Sequence, residues 1–193
     1  FLHFLPTCPA EQQVASQCKP FFDALCGGYV DAARTIAKAS RRTWNRDREK
    51  QADFFYVQLL MGLICADDDA AITELHTQLV AASQGKEPLR LAICAALVAR
   101  DEQAFNEGIA AQLAARVGLV QDLIARTLMP TDFAVWIQRF ASEGLALVRI
   151  AETLNIATPG PHLHISQTVR ALAPFPFDAA AWRPSTKLAK SAL

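Results

Sequence analysis

The chain has 193 residues, of which 52% are hydrophobic and 20% are charged. This length and composition exclude a disordered chain and fit a folded domain that buries about 70% of its unfolded surface. Basic and acidic residues number 19 each, so we expect no general affinity for nucleic acid or for an anionic membrane surface.

The basic segment RRTWNRDREK (41–50) precedes the most apolar part of the chain. Basic side chains around an aromatic ring can bind RNA, but Asp47 and Glu49 dilute the positive charge. We therefore interpret the segment as a solvated helix start in which Trp44 turns inward.

Helical periodicity dominates the remaining chain, and no convincing alternating strand pattern occurs. Segment Phe54–Cys65 is apolar on nearly every side, which predicts a buried helix. The apolar run falls short of the roughly 20 residues needed to span a bilayer, so we predict no membrane anchor. The next helix is predicted to begin at the aspartates 67–69 and to end near Ser83, and Pro88 suits the first turn of another.

Two segments, DDAAITE (68–74) and DEQAFNE (101–107), repeat at a spacing of 33 residues, and GGYVDAAR (27–34) is a looser third copy. In each copy an apolar helix ends, a short polar turn follows, and a second helix starts with a small and then a bulky residue. The spacing is close to that of tetratricopeptide helix pairs, which complete their core by stacking. We predict an all-α fold of antiparallel helix pairs stacked in a tetratricopeptide-like array.

The later part of the chain predicts one long helix. Apolar residues at helical spacing run to Leu154 from a start at Thr131 or Asp132, which gives an amphipathic helix of about six turns. A shorter apolar stripe, Val120 to Leu128, precedes it.

The character of the sequence changes after this helix. ATPGPHLHI (157–165) predicts a loop, and Ser166 can cap a short helix that ends near Leu172. Residues 173–193 combine prolines with aromatic residues, which predicts an extended tail. We therefore predict a single helical domain, 1–172, with the tail 173–193 packed along it.

The three consecutive aspartates, Asp67, Asp68 and Asp69, allow three interpretations. Calcium or magnesium needs oxygens that converge on one point, and these residues lack the spacing of such a loop. A helix cap is favoured, because carboxylates accept hydrogen bonds from the free amides at a helix start. Contact with a partner protein is compatible with capping, since both need exposure. Asp101 and Glu102 repeat the acidic turn.

No chemical signature of an enzyme is present. The sequence lacks a nucleophile elbow, a phosphate loop, a dinucleotide fingerprint and a third ligand for His162 and His164. A pair of Cys65 or Cys94 with His76 could form in space, but apolar neighbours would raise the thiol pKa and leave it inert. We predict no catalytic residues, metal or cofactor. All five cysteines lie among apolar residues without a Cys-x-x-Cys pair, which favours a reducing cytoplasm; they are Cys8, Cys18, Cys26, Cys65 and Cys94.

Three segments carry a family resemblance: TWNRDREKQADFFYVQLLMGLICADDDAAI (43–72), LRLAICAALVARDEQAFNEGIAAQL (89–113) and ASEGLALVRIAETLNIATPGPHLHISQTVRAL (141–172). Together they resemble the immunity protein 49 family of bacterial polymorphic toxin systems. In that family a Trp opens a helix, an acidic turn precedes the sequence xAF, and a late helix leads to a loop and a final short helix. The loop NIATPGPHLHI lacks the tryptophan that the family usually carries there.

The resemblance implies a cytoplasmic protein that binds and neutralises a cognate toxin, with no catalytic residues to transfer. We predict that it neutralises a secreted toxin by occlusion. Because many toxins that act on nucleic acids are basic, the candidate partner-binding residues are those of the acidic turns: Asp67, Asp68, Asp69, Asp101 and Glu102. Two alternatives stay open. One is a helical-repeat adaptor or chaperone that binds another protein, and the other is an enzyme that uses a Cys-His pair.

Overall fold

The structure, a computed structural model, describes residues 14–126, 128 and 141–171. Within these ranges all regular secondary structure is helical, apart from one isolated β-bridge between His162 and Ile165. A short 3₁₀ helix, Ala15–Gln17, precedes the α-helices. They are α1 Lys19–Cys26, α2 Val30–Ala39, α3 Gln51–Cys65, α4 Asp69–Ser83, α5 Pro88–Ala99, α6 Glu102–Ala125, α7 Ser142–Thr153 and α8 Gln167–Ala171. The predicted all-α fold class is confirmed.

Consecutive helices pack as pairs around the central helix α3. Helix α3 contacts α2, α4, α5, α7 and the 3₁₀ helix, while α1 packs on α2 and α7, and α5 packs on α4 and α6. Ten of the 15 residues of α3 are buried, as expected for a helix that is apolar on nearly every side. Helix pairing is therefore observed, whereas the tetratricopeptide-like stacking of the pairs stays a prediction.

Helices α1, α3 and α5 end in the same kind of turn. Its central residue has a left-handed backbone, with φ of 77° at Gly28, 56° at Ala66 and 53° at Arg100. The next residue donates its backbone N–H to a carbonyl five residues earlier, as in a Schellman motif. These bonds join Tyr29 to Ala24 (2.8 Å), Asp67 to Gly62 (3.1 Å) and Asp101 to Ala96 (2.9 Å). The sequence repeat thus corresponds to a repeated backbone turn.

The repeated segments also occupy equivalent places in the core. Ile72 in the first turn of α4 is 5% exposed, and its counterpart Phe105 in α6 is fully buried. Helix α4 ends at Ser83, α5 has Pro88 at its first position, and α6 begins directly after Asp101. The predicted starts of α4, α5 and α6 are confirmed.

The predicted six-turn helix from Thr131 or Asp132 to Leu154 is wrong at Ala141. Ala141 has φ −97° and ψ 82°, which is not helical, and its backbone N–H donates to the carbonyl of His164 at 3.1 Å. This contact with the following loop replaces a bond within a helix. Helix α7 begins only at Ser142, and residues 131–140 lie outside the described part of the chain.

The apolar stripe predicted before that helix is also only partly correct. Val120 is 3% exposed and lies in α6, but Leu128 is 69% exposed and lies beyond the end of α6. A position at helical spacing is buried only while the helix continues, and α6 ends at Ala125.

The loop after α7 and the short helix α8 form as predicted. The N–H of Val169 donates to Ser166 Oγ at 3.4 Å, so Ser166 caps α8. Arg170 of α8 ties the loop to α7, because its Nε donates to Glu152 Oε1 at 2.8 Å and its Nη2 donates to the carbonyl of Thr158 at 2.6 Å. The predicted tail, 173–193, lies outside the described residues.

Among the described helices, α6 alone has the length and apolar composition that could cross a membrane. A core helix passes the same test, and the first half of α6 contributes Phe105, Ile109 and Leu113 to the hydrophobic core. Only 22% of its apolar stretch is buried within the fold, so core packing accounts for only part of this composition.

Candidate partner-binding surface

Asp68 and Asp101 cap two equivalent helices. Asp68 Oδ1 accepts a hydrogen bond from the N–H of Ala71 at 2.8 Å, and Asp101 Oδ1 accepts one from the N–H of Ala104 at 3.0 Å. Each carboxylate satisfies an amide that has no partner within its helix. The cap interpretation is confirmed for these two residues, and both side chains remain exposed.

The other acidic candidates have different surroundings. Asp67 is partly buried and lies 3.8 Å from the guanidinium of Arg42. Asp69 and Glu102 are exposed in the first turns of α4 and α6, where a negative charge complements the helix dipole. None of these contacts uses all the hydrogen bonds that a carboxylate can accept, so each carboxylate keeps acceptor sites available to a partner.

The structure brings the three aspartates together in one groove of about 420 Å³. The groove lies where α3, α5 and α7 end, and we call it the acidic groove. Its polar lining is Asp67, Asp68, Asp69 and Arg100, and its apolar lining is Leu63, Ala66, Ile72, Leu97, Val98 and Leu154. Residues that are 91 positions apart in the sequence, Leu63 and Leu154, thus contribute to one surface.

Glu102 lines a separate groove of about 440 Å³ between α6 and the loop after α7. Asn106 fixes one wall of it, since its Nδ2 donates to the carbonyl of Ala157 at 2.9 Å. Pro159, Pro161 and His162 form the other wall. Asp101 lines neither groove. The five predicted residues are therefore not one continuous site.

A third cavity, of about 470 Å³, was not predicted from the sequence. It lies where α3, α5 and α7 begin, and Asp53, Tyr56, Arg90 and Glu143 line it. Tyr56 is 3% exposed and donates its hydroxyl to Glu143 Oε1 at 2.7 Å. The only sequence signal is the presence of single polar residues within apolar helices, which does not reveal that they meet.

Arg90 completes this polar cluster. Its guanidinium lies 4.4 Å from the centroid of the Tyr56 ring, donates to Asp53 Oδ1 at 2.9 Å and pairs with Glu87. A cation over an aromatic face is attracted by the ring quadrupole. The cluster therefore connects α3, α5 and α7 through charged and aromatic contacts.

Burial shifts the pKa of two groups in α3 and α5, Tyr56 and Cys94. Burial, reinforced by the Glu143 carboxylate, raises the pKa of Tyr56 well above its usual value, so the phenol stays protonated. Burial also raises the pKa of the Cys94 thiol to about 12. A protonated thiol is a poor nucleophile. The structure thus gives a physical reason against a reactive Cys94.

Helices α3, α5 and α7 run in the same direction. Their first turns supply Asp53, Arg90 and Glu143 to the unpredicted cavity, and their last turns or caps supply Ala66, Arg100 and Leu154 to the acidic groove. The two openings are therefore at opposite ends of the same three helices.

The basic segment does not start a helix, because α3 begins only at Gln51. Its residues form turns that Glu49 holds in place, since this carboxylate accepts the backbone N–H of Asn45 at 3.0 Å and that of Ser16 at 2.9 Å. Trp44 is partly buried and its Nε1 donates to the carbonyl of Glu49 at 3.0 Å. Trp44 is thus only partly buried and does not belong to the hydrophobic core cluster.

Histidine and cysteine side chains show no metal-binding arrangement in the described residues, where no group of three or more His, Cys, Asp or Glu could hold an ion. Burial, together with the nearby Arg170 guanidinium, lowers the pKa of His162 below its ordinary 6.5. The Nε2 atoms of His76 and His162 are buried without a hydrogen-bond partner. The lowered pKa favours the neutral form of His162.

Comparison with known proteins gives a family match. The description Immunity protein 49 applies to a family whose profile matches residues 6–158 of this chain. The match begins upstream of Thr43, where the resemblance noted in the sequence starts, and includes all three repeated turns. No curated protein and no solved structure matched the chain. Since the profile covers well over half of the sequence, the chain belongs to the Immunity protein 49 family.

Proposed function

We propose that this protein is an antitoxin that binds a cognate secreted toxin in the bacterial cytoplasm and neutralises it by occlusion. Membership of the family supports a role in toxin immunity in general. Binding without catalysis accounts for the candidate surfaces, which offer carboxylates and apolar side chains but no activated nucleophile. The match over residues 6–158 is the observation that carries the proposal.

The rigidity of the acidic turns supports tight binding. Each turn is fixed by a Schellman-type bond before it and by a capping bond after it, as at Asp67 (3.1 Å) and Asp68 (2.8 Å). A surface that is ordered before binding loses less entropy when the complex forms. Exposed carboxylates also accelerate encounter with a basic partner.

We assign the toxin contact to the acidic turns, with Asp67, Asp68, Asp69, Asp101 and Glu102 as its candidate residues. The assignment rests on their charge and exposure. Asp67, Asp68 and Asp69 line the acidic groove, Glu102 lines the groove between α6 and the loop after α7, and Asp101 lines neither. A large partner would therefore have to cover both grooves, whereas a small one would use one of them alone.

The test is coexpression with the toxin domain encoded by the neighbouring gene. Cells that carry the intact chain should survive toxin induction, and the two proteins should copurify. A chain with charge reversals at Asp67, Asp68 and Asp69 should remain folded and lose protection. Survival without copurification would contradict occlusion.

An adaptor or chaperone is the alternative, since paired helices also present surfaces to other proteins. It predicts that the chain binds a protein partner but gives no protection against any neighbouring toxin. An enzyme that neutralises the toxin is the remaining alternative. It predicts that substoichiometric amounts of the chain inactivate the toxin. Protection that requires a stoichiometric amount would contradict it.

A further inference from the structure

The acidic groove differs from an ordinary polar turn because its floor is apolar. Val98 and Leu154 are partly exposed at the ends of α5 and α7, and they lie beside the buried side chains of Leu63, Ile72 and Leu97. Its volume of about 420 Å³ falls within the range of pockets that hold a small ligand, roughly 300–1,000 Å³. One large side chain of a protein partner fits into a space of this size.

The rim of the same groove is negatively charged. Three carboxylates and one guanidinium, that of Arg100, line it. Asp68 uses one oxygen for its cap, Asp67 has only the 3.8 Å contact with Arg42, and Asp69 points from an exposed first turn. The excess negative charge complements a cation placed beside the apolar floor.

We propose that the acidic groove receives a protein segment that inserts one large apolar side chain next to a lysine or arginine, and that this segment belongs to the toxin. The inference rests on the proposed antitoxin function. Apolar anchors in pockets carry most of the binding energy of many interfaces, while charged rims set encounter rate and orientation. The floor and the rim therefore have separable roles in the complex.

The charge of the rim can be removed without removing the cap. Asparagine caps a helix about as well as aspartate, so the double variant Asp68→Asn with Asp69→Asn keeps the start of α4. We expect it to weaken toxin binding about 10-fold, mainly through slower association, and to reduce the dependence of binding on salt. Asp122→Asn is the matched control, because Asp122 is exposed in α6 outside the groove.

The apolar floor is tested by Val98→Thr, which keeps the shape of the side chain and replaces one methyl group by a hydroxyl. We expect binding to weaken about 5-fold, mainly through faster dissociation. Val80→Thr is the matched control, since Val80 is 46% exposed in α4 and does not line the groove. Both controls should bind toxin like the intact chain.

Affinity and kinetics are measured on the full chain with the neighbouring toxin domain, after urea denaturation has verified that each variant keeps its midpoint. Hydrogen exchange should show protection of residues 66–69 and 98–101 in the complex. If the intact chain binds and protects but the groove variants match their controls, the groove assignment is overturned and the antitoxin function stands. If the intact chain neither binds nor protects, the antitoxin function itself fails, and the groove assignment fails with it.

Discussion

Removing the hydroxyl group of Tyr56 should destabilise the protein more than the small volume of that group suggests. Tyr56→Phe keeps the ring beneath Arg90 but deletes the donor that lies 2.7 Å from Glu143 Oε1. Hydrogen bonds to charged groups contribute about 1.5–3 kcal/mol, and Tyr56 is only 3% exposed, so water cannot readily replace the lost donor. We expect a loss of about 2 kcal/mol in the free energy of unfolding.

For a protein of this length, such a loss lowers the melting temperature by roughly 4–8 °C. Urea denaturation followed by circular dichroism measures the free energy, and a double-mutant cycle with Glu143→Gln isolates the interaction. We expect a coupling energy on the order of 1 kcal/mol. Tyr56→Leu should cost more, because it also removes the aromatic face beneath Arg90.

The reasoning would be refuted if Tyr56→Phe changed the free energy of unfolding by less than about 0.5 kcal/mol, the range of ordinary surface substitutions. Strict additivity of Tyr56→Phe and Glu143→Gln would also contradict it, since residues joined by a strong bond must couple. Either result would mean that the polar cluster does not hold α3 and α7 together.

Three further predictions follow from local contacts. Asp68→Ala and Asp101→Ala should each lower the free energy of unfolding by about 1 kcal/mol while the corresponding asparagine variants lose much less; equal losses in urea denaturation would contradict the capping role. Because the pKa of His162 is lowered in the folded chain, the unfolded chain takes up its proton first as the pH falls below 6.5, so stability should decrease there. His162→Asn should flatten this dependence of stability on pH, which is measured by the denaturation midpoints at about pH 7.5 and 5.5. An unchanged dependence in the variant would exclude His162 as its cause. Burial raises the pKa of the thiols of Cys26 and Cys94 to about 11 and about 12, so alkylation followed by mass spectrometry should label both slowly until the chain unfolds, and rapid labelling of native Cys94 would contradict this.

The sequence predicted those parts of the fold that short-range interactions determine. Asp68 and Asp101 each bond an amide three residues ahead, and Pro88 acts through its own ring, so these helix starts were visible in the local pattern. The start of α7 was not, because it depends on a bond from Ala141 to His164, 23 positions away in the chain. A helix pattern that continues across a position does not reveal such a competing contact.

The candidate surface was predictable in composition but not in shape. Acidic turns at residues 67–69 and 101–102 were evident from charge. The placement of Asp67, Asp68 and Asp69 in one groove and of Glu102 in another depends on how the ends of α3, α5, α7 and the loop near Pro159 meet, which only packing decides. The cluster at Tyr56 escaped prediction for the same reason, since its members come from three separate helices.

The common direction of α3, α5 and α7 has a practical consequence for the biochemistry of this protein. Helix α3 has 15 residues, so its ends lie about 22 Å apart. A fluorophore or a surface tether attached near Asp53 would point away from the acidic groove and leave it accessible to a large molecule. Immobilisation at that end therefore gives a sensor whose acidic groove faces the solution. Attachment near Asp69 would cover the groove and serves as the negative control.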